Sequence, residues 1–207
     1  HPDSPTKQGQ AAIDDFIGRL NDHAGALAEI TPDRYGFVYD GLREYFAARY
    51  LVSSYRLAPE RIRGFLHDPR WDEVIRLAIS FTALRSHEDA SDLIEVGVMA
   101  RGPRAAEAGH HPSPFEDTLR RDLFFAARLM GSGAEARPEV TQAIVIDLTA
   151  LWLNGDRDSM GRFSLLFDAA RRHLMLLDGT EAGRRALQIV LNSLATDDER
   201  RRAHAID

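Results

Sequence analysis

Histidine side chains bind metal ions and transfer protons near neutral pH, and the sequence contains eight of them. No His-Glu-x-x-His spacing occurs, and the adjacent His110 and His111 lie in a Gly- and Pro-rich segment where their rings point apart. The group His-Glu-Asp at residues 87–89, with Asp92, fits a cation site, but acids also stabilise the start of a helix. His173 follows two arginines, which is typical of a solvated helix face. The helix-start and solvated interpretations are favoured over metal binding.

The chain offers no recognisable nucleophile. It contains no cysteine, which excludes cysteine nucleophiles, disulfides and thiolate metal sites. It has no Gly-x-Ser-x-Gly turn, and its one lysine, Lys7, lies outside any Gly-x4-Gly-Lys-Ser/Thr phosphate-binding loop. The acidic pairs at 14–15 and 197–198 face different ways, and the acidic turn at 156–158 is typical of a connection between helices. Catalysis therefore ranks last among the functional hypotheses.

Composition indicates a globular protein with one good-sized core or an elongated stack of helices. Of the 207 residues, 44% are hydrophobic and 28% are charged. The formal net charge is -6 and the two signs are interleaved, so nucleic acid is not the favoured partner. No apolar run reaches the roughly 18 residues of a membrane span, and the first residues do not resemble a signal peptide. We expect a cytoplasmic protein with no membrane partner.

Residues 1–58 show a helix, a hairpin and a second helix. Apolar residues from Ile13 to Leu27 recur at helical spacing. The turn cluster at 31–34 separates two short apolar runs, which predicts a β-hairpin. Asp40 is predicted to cap the next helix, whose apolar stripe continues until Pro59.

Residues 59–207 are predicted to be helical. Helix starts are predicted from capping residues and early prolines, namely Asp68 with Pro69, the capping box of Ser113, Pro114, Phe115 and Glu116, Pro138, Ser159, Thr180, and the capping box from Thr196 to Glu199. A helix is also predicted from Glu88 to Arg101, and residues 102–114 are predicted to form a mobile loop. Asn154 and Gly155 are predicted to end the helix that begins at Pro138.

The helix starts near Pro69, Pro114 and Ser159 are 45 residues apart. Paired helices that recur at about 40 to 47 residues are typical of HEAT or armadillo stacking. An irregular helical bundle with coincidental spacing is the alternative. The adjacent Phe124 and Phe125 cannot both face one seam, so one of them is expected to line a neighbouring helix or an exposed groove.

The segment FVYDGLREYFAARYL, residues 37–51, resembles the end of the winged-helix domain of NACHT-type STAND ATPases. The motif of that family reads Phe-x-His-x-Ser/Thr-Phe-Gln-Glu-Tyr/Phe-Leu/Phe-Ala-Ala, and the residues in matching places are Phe37, Leu42, Glu44, Tyr45, Phe46, Ala47 and Ala48. Residues 71–74 (Trp-Asp-Glu-Val) are similar to the element that often begins the helical region behind the motif. The resemblance covers about residues 11–85.

The resemblance implies an all-α fold in which a winged-helix remnant with a β-hairpin, residues 1–58, precedes a HEAT-like α-α superhelix, residues 59–207. The superhelix is implied to be a sensor and autoinhibitory region without catalysis or a cofactor of its own. The parent protein is implied to bind ATP or ADP through a phosphate-binding loop upstream of residue 1. The implied partners are that upstream ATPase domain and an unknown protein or ligand trigger.

Three positions depart from the family motif. Tyr39 replaces the histidine that contacts the phosphate of ADP, Gly41 replaces a small hydroxyl residue, and Arg43 replaces the glutamine. A tyrosine donates one hydrogen bond but carries no positive charge near neutral pH, so nucleotide contact through Tyr39 competes with simple packing. Glu44 and the pair Ala47 and Ala48 are expected to be structural.

A free-standing helical-repeat scaffold that binds a protein partner is the second hypothesis. A phosphate-binding loop encoded upstream of His1 would distinguish the first hypothesis from it. A deep pocket with several polar side chains would favour the third hypothesis, an all-α enzyme.

Overall fold

The structure is a computed structural model that describes residues 9, 11–12, 14–16, 18–19, 25, 27–31, 34–134, 136–154, 164–180, 182–185 and 187–192. Most of these residues are helical, and one two-stranded antiparallel sheet is present among them, which confirms the predicted all-α fold with a β-hairpin. The chain divides into two compact units, His1–Tyr50 and Leu51–Asp207. The predicted domain boundary, between residues 58 and 59, lies after this division.

The first unit contains the hairpin at the place that the sequence predicts. Strand β1, Leu27–Thr31, pairs with strand β2, Arg34–Phe37. Gly36 allows the side chain of Ile30 to cross the sheet, because a Cβ at Gly36 would lie 2.5 Å from Ile30 Cδ1. The described residues between 9 and 19 are helical, but Leu27, which the sequence places on that helix, is the first residue of β1. Gly25, with φ +55°, separates the two conformations.

Helix α1, Asp40–Leu51, follows the hairpin. The carbonyl of Tyr39 accepts hydrogen bonds from the N–H groups of Leu42 (3.1 Å) and Arg43 (3.4 Å). Asp40 lies inside the first turn and forms an ion pair with Arg43 at 3.2 Å. The prediction that Asp40 precedes the helix as its cap is therefore wrong by one residue. Its charge still lies at the positive end of the helix dipole.

The second unit is built from helices after a 3₁₀ turn at Tyr55–Leu57. In chain order these helices are α2 (Ala58–Phe65), α3 (Asp72–Ala83), α4 (His87–Asp92), a π-helix (Leu93–Val98), α5 (Gly102–Glu107), α6 (Glu116–Leu119), α7 (Arg121–Gly131), α8 (Pro138–Asn154) and α9 (Ser164–Leu176). Helix α3 packs on α4, the π-helix packs on α2, and α7, α8 and α9 pack on one another. The largest fully buried side chains are aliphatic, and include Ile62, Ile75, Ile79, Leu93, Ile94, Leu123, Ile144 and Leu148.

The sequence predicts a helix with its cap at Asp68 and its first residue at Pro69. Helix α3 begins three residues later, at Asp72. The carboxylate of Asp68 accepts the N–H of Arg70 at 3.1 Å, and its carbonyl accepts the N–H of Trp71 at 2.8 Å. These bonds form a separate turn. The side chain of an aspartate can accept the backbone N–H two residues later in a turn, just as it can cap the start of a helix. Trp71 is then the residue before the helix, and its ring stacks on Phe65 with centroids 3.7 Å apart.

The helix predicted from Glu88 to Arg101 begins at His87 and ends as the π-helix at Val98. Ser86 caps it by accepting the N–H of Asp89 at 3.1 Å. Gly97 allows the π-helix to approach α2 closely, because a Cβ at Gly97 would lie 3.3 Å from Pro59 Cα.

The prediction of a loop over residues 102–114 is wrong for its first half, which forms α5 and buries Ala105. The prediction of one helix starting at Pro114 is also wrong. Phe115 (φ 62°) and Arg120 (φ 54°) have left-handed backbone conformations that bound the four-residue helix α6, and α7 begins only at Arg121. Helix α6 begins 44 residues after α3, close to the predicted interval of 45, whereas α7 begins 49 residues after α3.

The C-terminal helices agree with the sequence wherever they are described. Helix α8 begins at Pro138 as predicted, and the Oγ1 of Thr180 accepts the N–H of Gly183 at 3.0 Å, as expected of a cap. Residues 182–185 and 187–192 are helical. The predicted starts at Ser159 and Thr196 and the predicted end at Gly155 lie outside the described residues, as do the acidic groups at 156–158 and 197–198. Within the described part of the chain, no helix is both long enough and apolar enough to cross a bilayer.

Candidate functional site

The most deeply buried carboxylate network of the second unit is centred on Asp122, whose side chain is 1% exposed. Oδ1 of Asp122 lies 2.6 Å from Nε2 of His67, and Oδ2 accepts the N–H of Ser113 at 2.9 Å. Burial raises the pKa of Asp122, but the hydrogen bonds from His67 and Ser113 outweigh burial and hold this pKa below its ordinary value. The carboxylate therefore stays ionised while joining the end of α2 to the start of α7.

Glu116 and Arg63 complete this group, called here the Asp122 cluster (Arg63, His67, Ser113, Glu116 and Asp122). The carboxylate of Glu116 accepts the N–H groups of Asp122 (2.8 Å) and Leu123 (3.1 Å), which are unpaired donors of the first turn of α7. Burial raises the pKa of Glu116, and these two bonds oppose that rise without cancelling it. The predicted capping residue thus caps the next helix instead of its own.

Arg63 binds three backbone carbonyls from two segments. Its guanidinium donates to the carbonyls of Gly97 (3.5 Å) and Val98 (3.2 Å) at the end of the π-helix, and to the carbonyl of His111. It also lies 4.0 Å from Oδ2 of Asp122. One cation therefore satisfies a helix C-terminus and fixes the segment that leads to Ser113.

The cluster contains the residue types of a Ser-His-Asp triad, but its geometry differs. In a triad the serine and the aspartate bind opposite nitrogens of the histidine ring. Here the Oγ of Ser113 (3.2 Å) and the Oδ1 of Asp122 (2.6 Å) share Nε2 of His67. The proton on Nε2 is donated to the carboxylate, so this nitrogen has no lone pair to accept the Ser113 proton. The arrangement joins helices and does not activate a serine.

Left-handed backbone conformations of non-glycine residues gather around the cluster. His67 has φ 72°, Phe115 has φ 62°, Arg120 has φ 54° and Ala100 has φ 49°. Each such residue costs about 1–3 kcal/mol and persists only where its surroundings hold it. The hydrogen bonds of His67 hold it in this conformation at the position after the C-cap of α2, where a glycine is usual.

A second polar group, the Asp92 network, joins four segments through the buried carboxylate of Asp92. The hydroxyl of Tyr55 donates to it at 2.7 Å, Arg104 of α5 pairs with it, and Arg137 donates to it at 3.1 Å and to Glu95 at 2.8 Å. Burial first, and the bond to Asp92 second, raise the pKa of Tyr55 to about 12. The network fixes the junction of α4 and the π-helix to the start of α8.

Among the residues that the structure describes, the histidines and acids singled out in the sequence are not brought together. Asp92 binds arginines instead of converging with residues 87–89, whose acids lie in the first turn of α4, as expected of a helix start. Within the described ranges, no group of three His, Cys, Asp or Glu side chains is placed to hold a metal ion. His110 donates its backbone N–H to Ala105, and His111 offers its carbonyl to Arg63.

His173 is a correction, because the sequence indicates a solvated face and the ring is half-buried. Its Nδ1 donates to the carbonyl of Ala169 at 2.7 Å, and its ring stacks on Phe124 with centroids 4.8 Å apart. Burial lowers the pKa of His173 below its ordinary value. Phe124 thus lines the neighbouring helix while Phe125 is buried, which confirms the expected division of this pair.

Tyr39, the predicted nucleotide-sensor residue, lies in the bend between β2 and α1, and its side chain is 64% exposed. Beside it, the ring of Phe37 stacks on Phe46 with centroids 5.5 Å apart. Of the two motif alanines, Ala48 is fully buried and Ala47 is half-buried. Phe37 and Phe46, two of the residues that carry the family resemblance, therefore pack the hairpin against the helix, with Tyr39 accessible at the bend.

Sequence reasoning missed His67, Asp122 and Tyr55 as members of buried polar groups. No local spacing marks them, because the partners His67 and Asp122 are separated by 55 positions. Asp92 was one available signal, because it directly precedes the largely apolar segment Leu-Ile-Glu-Val and a carboxylate buried there needs a charged or hydrogen-bonding partner. Comparisons with family models, curated proteins and solved structures found no match to this chain.

Proposed function

We propose that this chain is a non-catalytic regulatory region of a NACHT-type switch protein, formed by the end of a winged-helix domain and a helical array. The observation that carries the proposal is the arrangement of the motif residues. Phe37 of the hairpin stacks on Phe46 of α1, and Ala48 on the same helix is fully buried. Two positions of the family-like motif, Phe37 and Phe46, therefore join hairpin and helix, which supports the proposal.

The described polar clusters support a regulatory rather than an enzymatic role. The carboxylates of Asp122 and Glu116 are committed to a histidine side chain and to backbone N–H groups, and Asp92 is committed to arginines and a tyrosine. Such groups fix helix positions. A helical array fixed in this way can bind a trigger more tightly in one arrangement of the parent than in another, which shifts the population between the two.

In this proposal the parent binds ATP or ADP upstream, and the exposed Tyr39 hydroxyl is available as a hydrogen-bond donor to the nucleotide. The first test is whether the coding sequence upstream of His1 encodes a Gly-x4-Gly-Lys-Ser/Thr loop. If it does not, the free-standing scaffold is the better hypothesis.

The second test uses the parent protein and measures ADP release. Tyr39→Phe removes the hydroxyl and is expected to speed ADP release several-fold, while Tyr39→His is expected to slow it. Tyr35→Phe is the matched control, since Tyr35 is also exposed on the hairpin side. Equal release rates for all four proteins would exclude a sensor role for Tyr39.

A further inference from the structure

One pocket of the second unit brings together an exposed aromatic ring, a buried thioether and an arginine. Its volume is about 360 Å³, and its lining is Met99, Arg101, Pro112, Ser113, Phe115, Glu116, Asp117 and Arg120. Met99 is 3% exposed and lies within the wall, whereas Phe115 is 73% exposed. An apolar residue this exposed at the mouth of a pocket offers a stacking surface for a ligand.

The backbone of this lining contains strained residues. Phe115 and Arg120, both in the lining, have φ of 62° and 54°, and Ala100, with φ 49°, lies between the lining residues Met99 and Arg101. Strained residues of this kind cluster at ligand sites, where the surrounding structure holds them. Here two of them, Phe115 and Arg120, contribute an exposed aromatic residue and an arginine to the same lining.

The charged side chains of the pocket indicate which chemical group of a ligand Arg120 would bind. Arg101 is already paired with Asp147 at 2.5 Å, and the carboxylate of Glu116 is held by two N–H groups of α7. Arg120 forms no ion pair or hydrogen bond through its side chain with any residue in the described ranges, and interacts with Glu116 only through longer-range attraction. Asp117 is an exposed acid on the rim and opposes an anion.

We propose that this pocket binds an aromatic carboxylate, with the ring against Phe115 and Met99 and the carboxylate paired with the Arg120 guanidinium. The carboxylate can belong to a small free acid or to the C-terminal residue of a peptide, since both present the same chemistry. The site does not depend on the nucleotide switch proposed above. Its failure would leave that proposal standing.

The test is a titration of the full chain by NMR, following the backbone amide signals of residues 112–121. N-acetyl-phenylalanine is the probe, and N-acetyl-phenylalanine amide, which lacks the charge, is the matched control ligand. We expect saturable shifts with the acid and at least about tenfold weaker binding of the amide. Absence of saturable shifts at about 10 mM acid, or equal binding of acid and amide, would overturn the proposal.

Three variants separate a binding role from a structural one. Arg120→Gln is expected to weaken binding of the acid by about tenfold, while the neighbouring Arg121→Gln, outside the pocket lining, leaves it unchanged. Phe115→Gly is expected to abolish binding and to raise the melting temperature, because glycine adopts φ 62° without strain. A Phe115→Gly protein that binds as well as the wild type would contradict the stacking role.

The two sources of the carboxylate are distinguished with the tripeptide Ala-Ala-Phe and its C-terminal amide. Tighter binding of the free tripeptide than of N-acetyl-phenylalanine would identify a peptide C-terminus, and equal or weaker binding would identify a free acid. Asp117→Asn is expected to tighten binding of either, since it removes the acid on the rim.

Discussion

Nε2 of His67 lies 2.6 Å from Oδ1 of Asp122, and this bond joins the residue after the C-cap of α2 to the first turn of α7. Both side chains are largely buried, and Asp122 also accepts the backbone N–H of Ser113. One carboxylate of the second unit therefore holds together the end of α2, the segment at Ser113 and the start of α7.

Asp122→Ala is expected to destabilise the chain by about 2–4 kcal/mol, because it leaves His67 and the Ser113 N–H buried without their partner. Urea unfolding followed by circular dichroism measures this change. Asp117→Ala is the control, since Asp117 is exposed and only five residues away, and its effect is expected to stay within about 0.5 kcal/mol. Equal midpoints for the two variants would show that the cluster contributes little.

The loss of unfolding free energy at acid pH is expected to depend on Asp122. Its pKa in the folded chain is below the ordinary value of 3.8, so the stability it contributes is fully present above that value. This contribution is lost as the pH falls from there through the folded pKa. In Asp122→Asn, the unfolding free energy is expected to change less between about pH 5 and about pH 2 than in the wild type. A profile parallel to that of the wild type would contradict the assignment.

The ionisation of Glu116 is expected to change the stability with pH in the opposite direction to that of Asp122. Its folded pKa is raised above 4.5, so its contribution is present below 4.5 and is lost as the pH rises through the raised value. Glu116→Gln keeps an oxygen that can accept the N–H groups of α7 but removes the ionisation. The variant is expected to lose less stability than the wild type as the pH rises above 4.5, which unfolding at a series of pH values measures.

Tyr55 is expected to ionise well above the ordinary range of a tyrosine side chain. Its pKa is raised to about 12, chiefly by burial, so its hydroxyl keeps its bond to Asp92 well above the ordinary value of 10.0. Ultraviolet titration should show a late component that disappears in Tyr55→Phe and remains in the exposed control Tyr50→Phe. Because a folded pKa above the unfolded one favours the protonated form, this contribution to stability is lost between pH 10.0 and about 12.

The buried face of α1 gives a packing test. Ala48 is fully buried, so Ala48→Trp is expected to unfold or aggregate the chain by overpacking. Ala47, which the sequence also predicts to be structural, is only half-buried, so Ala47→Trp is expected to be milder. Circular dichroism and light scattering compare the two variants. A stable Ala48→Trp protein with unchanged helicity would contradict the burial of this face.

Local signals predict the hairpin and most of the helices, because the turn cluster at 31–34, the proline at 138 and the cap at Thr180 act on neighbouring residues. They fail between residues 113 and 121, where tertiary contacts decide the conformation. Phe115 and Arg120 adopt left-handed conformations that no local preference favours, and Glu116 binds N–H groups of a later helix. The Asp122 cluster cannot be predicted from local signals either, since its members come from separate segments that only the fold brings together.

The π-helix at Leu93–Val98 has a consequence for the pocket that follows it. A π-helix holds one residue more than an α-helix would in the same span. Removing that residue would restore α-helical winding over the same span, and the bond from the N–H of Met99 to the carbonyl of Ile94, five residues earlier, would be lost. The backbone that enters the pocket lining at Met99 is thus bonded through the wider turn of the π-helix.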